Sequence, residues 1–264
     1  MEPREFSALT DLAAIHPELA PAVALERELL EGERRLQRRI GTPWPDLSAD
    51  VLSERLARGE RLLNWEQITI DWPECRLRWR QVVDVLRRHD VLEAPDAARL
   101  TDLARDAQLP DVAARWYDRD AVDGTWPGVG DVIGLTLRPF LARTAEVLQQ
   151  RMPVTGWEKG TCPVCGGDPV FAVLPAAGGR QLVCGRCLAR WAFEPRRCPS
   201  CLADEGQRAF SAYDGVYQVA ACDRCRKYVK ALDIRKAGRP LFLAVDVVAT
   251  LALDRALGGQ GYQA

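Results

Sequence analysis

Apolar residues recur at helical spacing through the first 150 residues of this 264-residue chain. In four stripes they fall on one face of an α-helix. The stripes are Leu25, Leu29, Leu36 and Ile40; Trp79, Val82, Val83 and Leu86; Leu100, Leu103, Ala104 and Ala107; and Leu137, Leu141, Ala145 and Leu148. Prolines separate the helices: Pro43, Pro45, Pro73, Pro95 and Pro110. The pattern predicts a helical domain over residues 1–155, with these stripes in its core.

The periodicity changes near residues 152–161. Beyond them, short runs of strand-forming residues alternate with turns. The runs are Val170–Leu174, Gln181–Cys184, Arg190–Phe193, Gln207–Tyr213, Tyr217–Ala221 and Tyr228–Ile234. A helical pattern returns over residues 244–257. We therefore predict an α+β multidomain fold: the helical N-terminal domain, a small β module over residues 156–193, and a second β module over residues 194–264 that ends in a C-terminal helix.

The last helical pattern carries a polar stripe on an otherwise apolar surface. Asp246, Thr250 and Asp254 lie four residues apart and therefore share one face. This stripe is either a solvated helix face or a surface for a basic peptide, because a guanidinium group prefers a pair of carboxylate oxygens.

The chemistry of the chain is concentrated in four Cys-x-x-Cys pairs: Cys162 and Cys165, Cys184 and Cys187, Cys198 and Cys201, and Cys222 and Cys225. A loop of this kind, which we call a knuckle, directs two sulfurs at one metal ion, and two knuckles complete a tetrahedron. The spacers between successive pairs are 18, 10 and 20 residues long. The longer spacers suit hairpins, so sequential pairing into two four-cysteine sites is the simplest arrangement. An interleaved arrangement stays open.

Four thiolates in a tetrahedral array suit zinc and iron equally well. A zinc site of this kind is closed and structural, whereas iron in the same cage could cycle between two oxidation states. The other cysteine, Cys75, is predicted to be a small buried apolar side chain. His16 and His89 lack ligand spacing and are expected at the helix surface or at a helix end.

Two aromatic residues follow cysteine pairs closely. Trp191 and Tyr228 either pack over the metal cages or form the aromatic core of the modules. Four basic residues lie in or beside the knuckles: Arg186, Arg224, Arg226 and Lys227. They either offset thiolate charge and contact a partner or are solvated surface charges.

Charge is distributed unevenly along the chain. Residues 157–264 hold 15 Lys and Arg against 10 Asp and Glu, a net charge of +5, and residues 1–156 hold 21 against 27, a net charge of −6. Two thiolate sites with divalent ions would reduce the positive excess further. This balance argues against a nucleic-acid partner.

The chain begins without a basic segment followed by an apolar run, and the apolar stretch 241–253 contains Asp246 and is too short to cross a bilayer. We expect a cytoplasmic protein without membrane insertion. In that compartment paired cysteines are metal ligands rather than disulfides.

A catalytic centre is not apparent in the sequence. Residues 118–131 are rich in Gly and Asp and predict a loop, but their glycines lack the spacing of a phosphate-binding loop. No acid, base or nucleophile stands out elsewhere, so we predict that the protein is not an enzyme.

Several segments together resemble one known family. They are WEKGTCPVCGGDPV from Trp157, LVCGRC, RCPSC, CDRCRKYVK and the final VVATLALDRALGGQGY, with looser similarity at Gly59–Leu63 and Leu137–Leu141. These segments resemble the formate dehydrogenase accessory protein FdhE family. One departure is that this family usually has two adjacent acids before Ala-Thr-Leu of the last helix, where this chain has Asp246 and Val247.

The resemblance implies a helical domain followed by two rubredoxin-like modules that bind two iron ions through the eight paired cysteines. It implies a cytoplasmic maturation factor that contacts the catalytic subunit of respiratory formate dehydrogenase, or its twin-arginine signal peptide, before export. Two other functions stay open from the residues: a rubredoxin-type electron-transfer protein and a zinc-ribbon nucleic-acid-binding protein. The charge count argues against the second of these.

Overall fold

The computed structural model describes residues 4–41, 47–118, 128–152 and 154–264. Pro43, Pro45 and residues 119–127 of the predicted loop lie outside the described residues. None of the helices in the described ranges combines the length and the apolar character that crossing a membrane requires.

The first part of the described chain is helical, as predicted. Asp71 begins the fourth helix by accepting a hydrogen bond from the Glu74 N–H at 3.1 Å, and Ser48 begins the third in the same way. Pro73, Pro95 and Pro110 each lie in the first turn of a helix, where the missing N–H costs nothing. The helices are α1 Arg4–Ile15, α2 Ala20–Gln37, α3 Ala49–Ala57, α4 Trp72–Arg88, α5 Ala94–Leu103, α6 Leu109–Tyr117 and α7 Val129–Arg151.

The predicted stripes on α4 and α7 are buried. Three positions of the other stripes are not on helices: Ile40, Ala104 and Ala107. Ala104 directly follows α5 and is buried. Ile40 lies beyond the end of α2 and is only partly buried, and Ala107 is exposed in the turn after α5. Arg76 donates hydrogen bonds to the carbonyls of Ala104 and Asp106. Because these carbonyls at the end of α5 have a side-chain partner, the chain turns there and the helix does not continue to Ala107.

The six predicted strands are all present and form one sheet in the order β3-β2-β1-β6-β5-β4. Neighbours are antiparallel except β1 and β6, which are parallel with Ala172 opposite Ala231. The strands are β1 Pro169–Leu174, β2 Arg180–Cys184, β3 Arg190–Phe193, β4 Gln207–Ala212, β5 Tyr217–Cys222 and β6 Tyr228–Asp233.

The sheet consists of two similar halves. In each half a knuckle precedes two antiparallel strands, and a second knuckle leads to the third strand. The third strand of the second half, β6, lies beside the first strand of the first half, β1. At the far edge β4 is exposed along most of its length. The division into domains at residues 155 and 193 stays a prediction.

The end of the chain is helical, but the predicted single helix is interrupted at Thr250. The helices are α8 Ile234–Ala237, α9 Leu243–Ala249 and α10 Leu251–Gly259. The Thr250 backbone has φ −107° and ψ 13°, outside the helical region, and its hydroxyl donates to the Asp246 carbonyl at 2.6 Å.

Both interpretations of the polar stripe are wrong for Asp246 and Thr250, because each is fully buried. The Asp246 carboxylate accepts hydrogen bonds from the Arg239 guanidinium at 2.6 and 3.0 Å and from the Tyr217 hydroxyl at 2.6 Å. The stripe therefore faces the sheet, since its partners lie on β5 and on the segment before α9. Neither solvent nor a basic peptide reaches this carboxylate.

Asp254 is also satisfied within the protein. Its carboxylate accepts hydrogen bonds from Tyr228 at 2.6 Å and from the Lys230 ammonium at 2.7 Å. The network ties α10 to β6, which carries both donors.

Candidate metal centres

The four knuckles share one backbone conformation. In each, the N–H of the first cysteine donates to the carbonyl five residues later, and the N–H four residues later donates to that cysteine's carbonyl, at 2.8 to 3.2 Å. The first cysteines are Cys162, Cys184, Cys198 and Cys222. The repeated pattern turns the chain tightly enough to bring both sulfurs of a pair to the same side.

The residue after each second cysteine is left-handed. Gly166, Leu188, Leu202 and Arg226 have φ of 74°, 60°, 58° and 59°. Glycine adopts this region without steric cost, whereas an L-residue loses about 1–2 kcal/mol there. Three of the four knuckles therefore hold a strained residue. The sequence did not reveal this strain, because only the first pair is followed by glycine.

The first four-cysteine cluster consists of Cys162, Cys165, Cys184 and Cys187. Its sulfurs lie within 4.8 Å of one another, with Cys162 3.6 Å from Cys187 and Cys165 3.5 Å from Cys184. A tetrahedron with metal–sulfur bonds of about 2.3 Å has sulfur–sulfur edges of about 3.8 Å. These distances fit a shared ion, whereas a disulfide needs about 2.05 Å. The cluster could hold one metal ion.

The second four-cysteine cluster consists of Cys198, Cys201, Cys222 and Cys225. Its sulfurs also lie within 4.8 Å of one another, with Cys198 3.7 Å from Cys225 and Cys201 3.7 Å from Cys222. Both clusters group the pairs sequentially, so the interleaved arrangement does not occur. All nine cysteines are free thiols.

In each cluster one cysteine has a thiol pKa below its usual value. At Cys222, burial opposes ionisation, but N–H groups of Cys225 and Arg224 and neighbouring thiols outweigh it and lower the thiol pKa to about 7. At Cys184, neighbouring thiols and the Cys187 N–H likewise outweigh burial and lower the pKa well below its usual value. Burial and the neighbouring sulfurs raise the pKa of Cys187. A cation would remove the remaining protons, because metal binding requires thiolates.

The helical part covers both knuckles of the first cluster. The N–H groups of Leu62 and Leu63 donate to the carbonyls of Pro163 and Val164 at 2.8 and 3.0 Å. On the other knuckle, the Arg186 guanidinium donates to the Tyr117 carbonyl at 2.9 Å and lies 4.2 Å from the Trp116 ring centroid. The Tyr117 hydroxyl in turn donates to the Leu63 carbonyl at 2.9 Å.

The same cluster belongs to the largest hydrophobic core. That core runs from the buried faces of α4 and α7 to the four sulfurs, and includes Trp157 and Trp191. The first cluster therefore lies at the contact between the helices and the sheet.

The second cluster is covered differently. The backbone of Gln263 pairs with residues 226–228. The Gln263 N–H donates to the Arg226 carbonyl at 2.8 Å, and the Gln263 carbonyl accepts from the Tyr228 N–H at 2.9 Å. Tyr262 donates its hydroxyl to Asp223, and its ring centroid lies 3.9 Å from the Arg226 guanidinium. This cover comes from residues after α10 and from the knuckle itself.

The aromatic residues named from the sequence are core residues. Trp191 is 3% exposed, and its indole N–H donates to the Lys159 carbonyl at 3.3 Å. Tyr228 is 7% exposed and bonded to Asp254. Of the basic residues, Arg186 and Arg226 are both engaged within the protein. Their contacts hold the knuckles in place.

The cysteine outside the clusters and the two histidines are placed as expected. Cys75 is 2% exposed on α4, and burial raises the pKa of its thiol to about 12. His89 ends α4 and lies 2.9 Å from a Glu28 oxygen, and His16 lies 3.2 Å from a Glu18 oxygen near the surface. None of the three belongs to a four-cysteine cluster.

A glycine that the sequence did not single out brings the two halves together. A Cβ at Gly160 would lie 1.8 Å from the Pro199 carbonyl oxygen and 2.6 Å from the Pro199 Cα. Pro199 lies inside the third knuckle, between Cys198 and Cys201. The backbone that leads into the first cluster therefore packs directly on a loop of the second cluster.

We expect Gly160→Ala to lower the free energy of unfolding by about 1–3 kcal/mol, because the added methyl forces backbone apart. Displacement of Pro199 should also reduce metal content at the second cluster. Gly258→Ala in α10 is the matched control, because nothing lies within 4 Å of the added Cβ. Urea denaturation and zinc per chain measure both effects, and equal values for Gly160→Ala and wild type would contradict the contact.

Similarity to known proteins covers part of the sequence and nearly the whole fold. No family model matches the chain. A curated Shewanella sp. (strain MR-4) protein, named Protein FdhE homolog, is 38% identical over 113 residues, which is 40% of this chain and 37% of that protein. A protein of the same name from Aquifex aeolicus (strain VF5) is 31% identical over 116 residues, 40% of each chain. The matches thus span well under half of these relatives.

A solved structure matches over nearly the whole fold. The crystal structure of the FdhE protein from Pseudomonas aeruginosa aligns with a TM-score of 0.72, at 22% identity, over 98% of this chain and 92% of that one. The fold is therefore the one predicted, a helical part followed by a sheet region with two four-cysteine clusters. The two kinds of comparison confirm the resemblance to the FdhE family.

Proposed function

We propose that this FdhE-like protein is a cytoplasmic, non-catalytic accessory factor for a respiratory formate dehydrogenase. It binds the catalytic subunit, or that subunit's twin-arginine signal peptide, before export. The eight paired cysteines are the ligands of two metal ions: Cys162, Cys165, Cys184, Cys187, Cys198, Cys201, Cys222 and Cys225. Iron is the metal implied by the family, and zinc is the alternative with the same ligand set.

The observation that carries this proposal is the closed nature of the first cluster. Its four sulfurs supply every position of a tetrahedral ion, and Cys162, Cys165, Cys184 and Cys187 are at most 1% exposed. A catalytic metal needs an open position for water or substrate. An ion held in this way supports a binding surface, because it fixes the helices against the sheet.

Electron transfer is a second candidate, and the second cluster favours it. Cys201 and Cys225 are partly exposed, so an iron ion there would lie near the surface. Protein purified without added metal would then show a thiolate-to-iron absorption band that a physiological reductant bleaches reversibly. A colourless protein containing only zinc contradicts this function and leaves the accessory role intact.

The accessory role is tested by binding to the catalytic subunit. We expect the purified protein to retain the unassembled subunit in a pull-down and to release the assembled enzyme. The subunit with and without its signal peptide distinguishes the two proposed contacts, and an unrelated exported protein with a twin-arginine peptide is the control. Failure to bind either form of the subunit contradicts the proposed function.

A further inference from the structure

The two clusters differ in how an ion could leave them. At the first cluster, all four sulfurs are enclosed, and segments of the helical part hydrogen-bond to both knuckles. Access to any of these sulfurs requires the helices to separate from the sheet. Such an opening breaks the largest core and therefore has a free energy close to that of global unfolding.

At the second cluster, exposure alternates within each pair. Cys198 and Cys222 are 2% and 1% exposed, whereas Cys201 and Cys225 are both partly exposed. None of the four belongs to a hydrophobic core of the described chain. Each knuckle thus contributes one enclosed cysteine and one partly exposed cysteine.

We propose that the second cluster is a metal-exchange site, whereas the first cluster retains its ion for the life of the fold. The inference rests on the ligand roles proposed above. An external thiol reaches the ion beside Cys225 or Cys201 and displaces that cysteine. Cys198 and Cys222 hold the ion until an acceptor that offers thiolates replaces them.

The exchange is a ligand substitution without redox chemistry. With an ion held by the four cysteines, the sulfur of an incoming thiol would replace the Cys225 sulfur as a ligand, and the proton of the thiol would pass to Cys225. The ion keeps its charge and oxidation state. Repetition at Cys201 leaves two protein ligands, and the ion can then pass to an acceptor that offers thiolates.

Metal release from wild-type protein tests the proposal. The reduced protein is loaded with two zinc ions and mixed with a chromophoric chelator that reports released zinc. Iodoacetamide is present, and labelled cysteines are identified by mass spectrometry. We expect one ion to leave at least tenfold faster than the other, with the early label confined to Cys198, Cys201, Cys222 and Cys225. Release of both ions in one phase, early label on the first cluster, or binding of fewer than two ions overturns the proposal.

Two matched variants each remove one hydroxyl from the cover of one cluster. Tyr117→Phe removes the hydrogen bond to the Leu63 carbonyl, and Tyr262→Phe removes the one to the Asp223 carboxylate. Loss of one hydrogen bond corresponds to about a fivefold change in rate. We expect Tyr117→Phe to accelerate only the slow phase and Tyr262→Phe only the fast phase. If either variant accelerates the phase assigned to the other, or if neither variant accelerates release, the two clusters are not covered independently.

These measurements need no formate dehydrogenase. Failure of the exchange prediction therefore leaves the accessory role to be judged by the pull-down, and failure of the pull-down leaves the exchange prediction to be judged by metal release.

Discussion

Cys165→Ser is expected to unfold most of the protein, whereas Cys225→Ser is expected to leave a folded protein with one tightly held ion. Both substitutions remove one thiolate from a cluster with the same ligands and nearly the same sulfur–sulfur distances. They differ in their surroundings. Cys165 is fully buried in the core shared by helices and sheet, and Cys225 lies partly exposed outside it.

The magnitude follows from the contribution of a structural metal site. A four-thiolate zinc site contributes on the order of 10 kcal/mol to folding. The whole stability of a typical domain is about 5–15 kcal/mol. Weakening the first site therefore removes most of what holds the helices on the sheet. At the second site, the lost free energy of folding affects only the two knuckles that hold the ion.

Metal analysis and circular dichroism measure the contrast. We expect Cys165→Ser to contain less than one ion per chain and to lose its cooperative thermal transition, and Cys225→Ser to retain that transition and close to one ion. A cooperative transition at the wild-type temperature for Cys165→Ser would contradict a structural role for the first site.

Asp246→Ala is expected to lower the free energy of unfolding by about 3–5 kcal/mol, the cost of breaking a buried ion pair. The fully buried carboxylate accepts hydrogen bonds from Arg239, from Tyr217 and from the Phe242 N–H at 2.9 Å. Alanine leaves all three donors without that acceptor, and the Arg239 charge lies in a partly buried site. The segment before α9 should then detach from β5.

Asp204→Ala provides the control. Its carboxylate pairs with Arg197 at 3.0 Å, but the Asp204 side chain is 64% exposed, so the expected loss is at most about 1 kcal/mol. The double variant Asp246→Ala with Arg239→Met should recover part of the loss, because it removes the uncompensated charge. Urea denaturation measures all three proteins. A loss below 1 kcal/mol for Asp246→Ala would show that this network does not hold the helix.

Local features of the fold were predictable because local sequence determines them. The strand Arg190–Phe193 was predicted with its observed bounds, and the other five were predicted to within one residue at each end. Turn residues and the cysteines themselves limit these strands. The cluster membership followed from spacer length for the same reason, since a hairpin returns its ends to one place.

Features that depend on distant residues were not predictable. The burial of Asp246 depends on Arg239 and Tyr217, and the apolar residues around it gave no sign of either partner. The contact of Gly160 with Pro199 joins residues 39 positions apart by backbone alone. Likewise, nothing in the sequence shows that the first cluster is buried and the second partly exposed. The cysteine pairs of both clusters have the same spacing, and the residues that cover each cluster lie elsewhere in the chain.

The parallel contact between β1 and β6 determines how the protein could grow. It joins unlike strands of the two halves, so one half relates to the other by a displacement across the sheet, without a twofold axis. Heterologous contacts of this kind form a closed ring only where the rotation between units closes, and otherwise they leave an unpaired edge at each end. β4 is the first strand of the second half, as β1 is of the first half, so its free edge is equivalent to the edge of β1 that pairs with β6. β4 is exposed along most of its length. A third copy of the unit could therefore extend the sheet in a linear array without rearranging the first two.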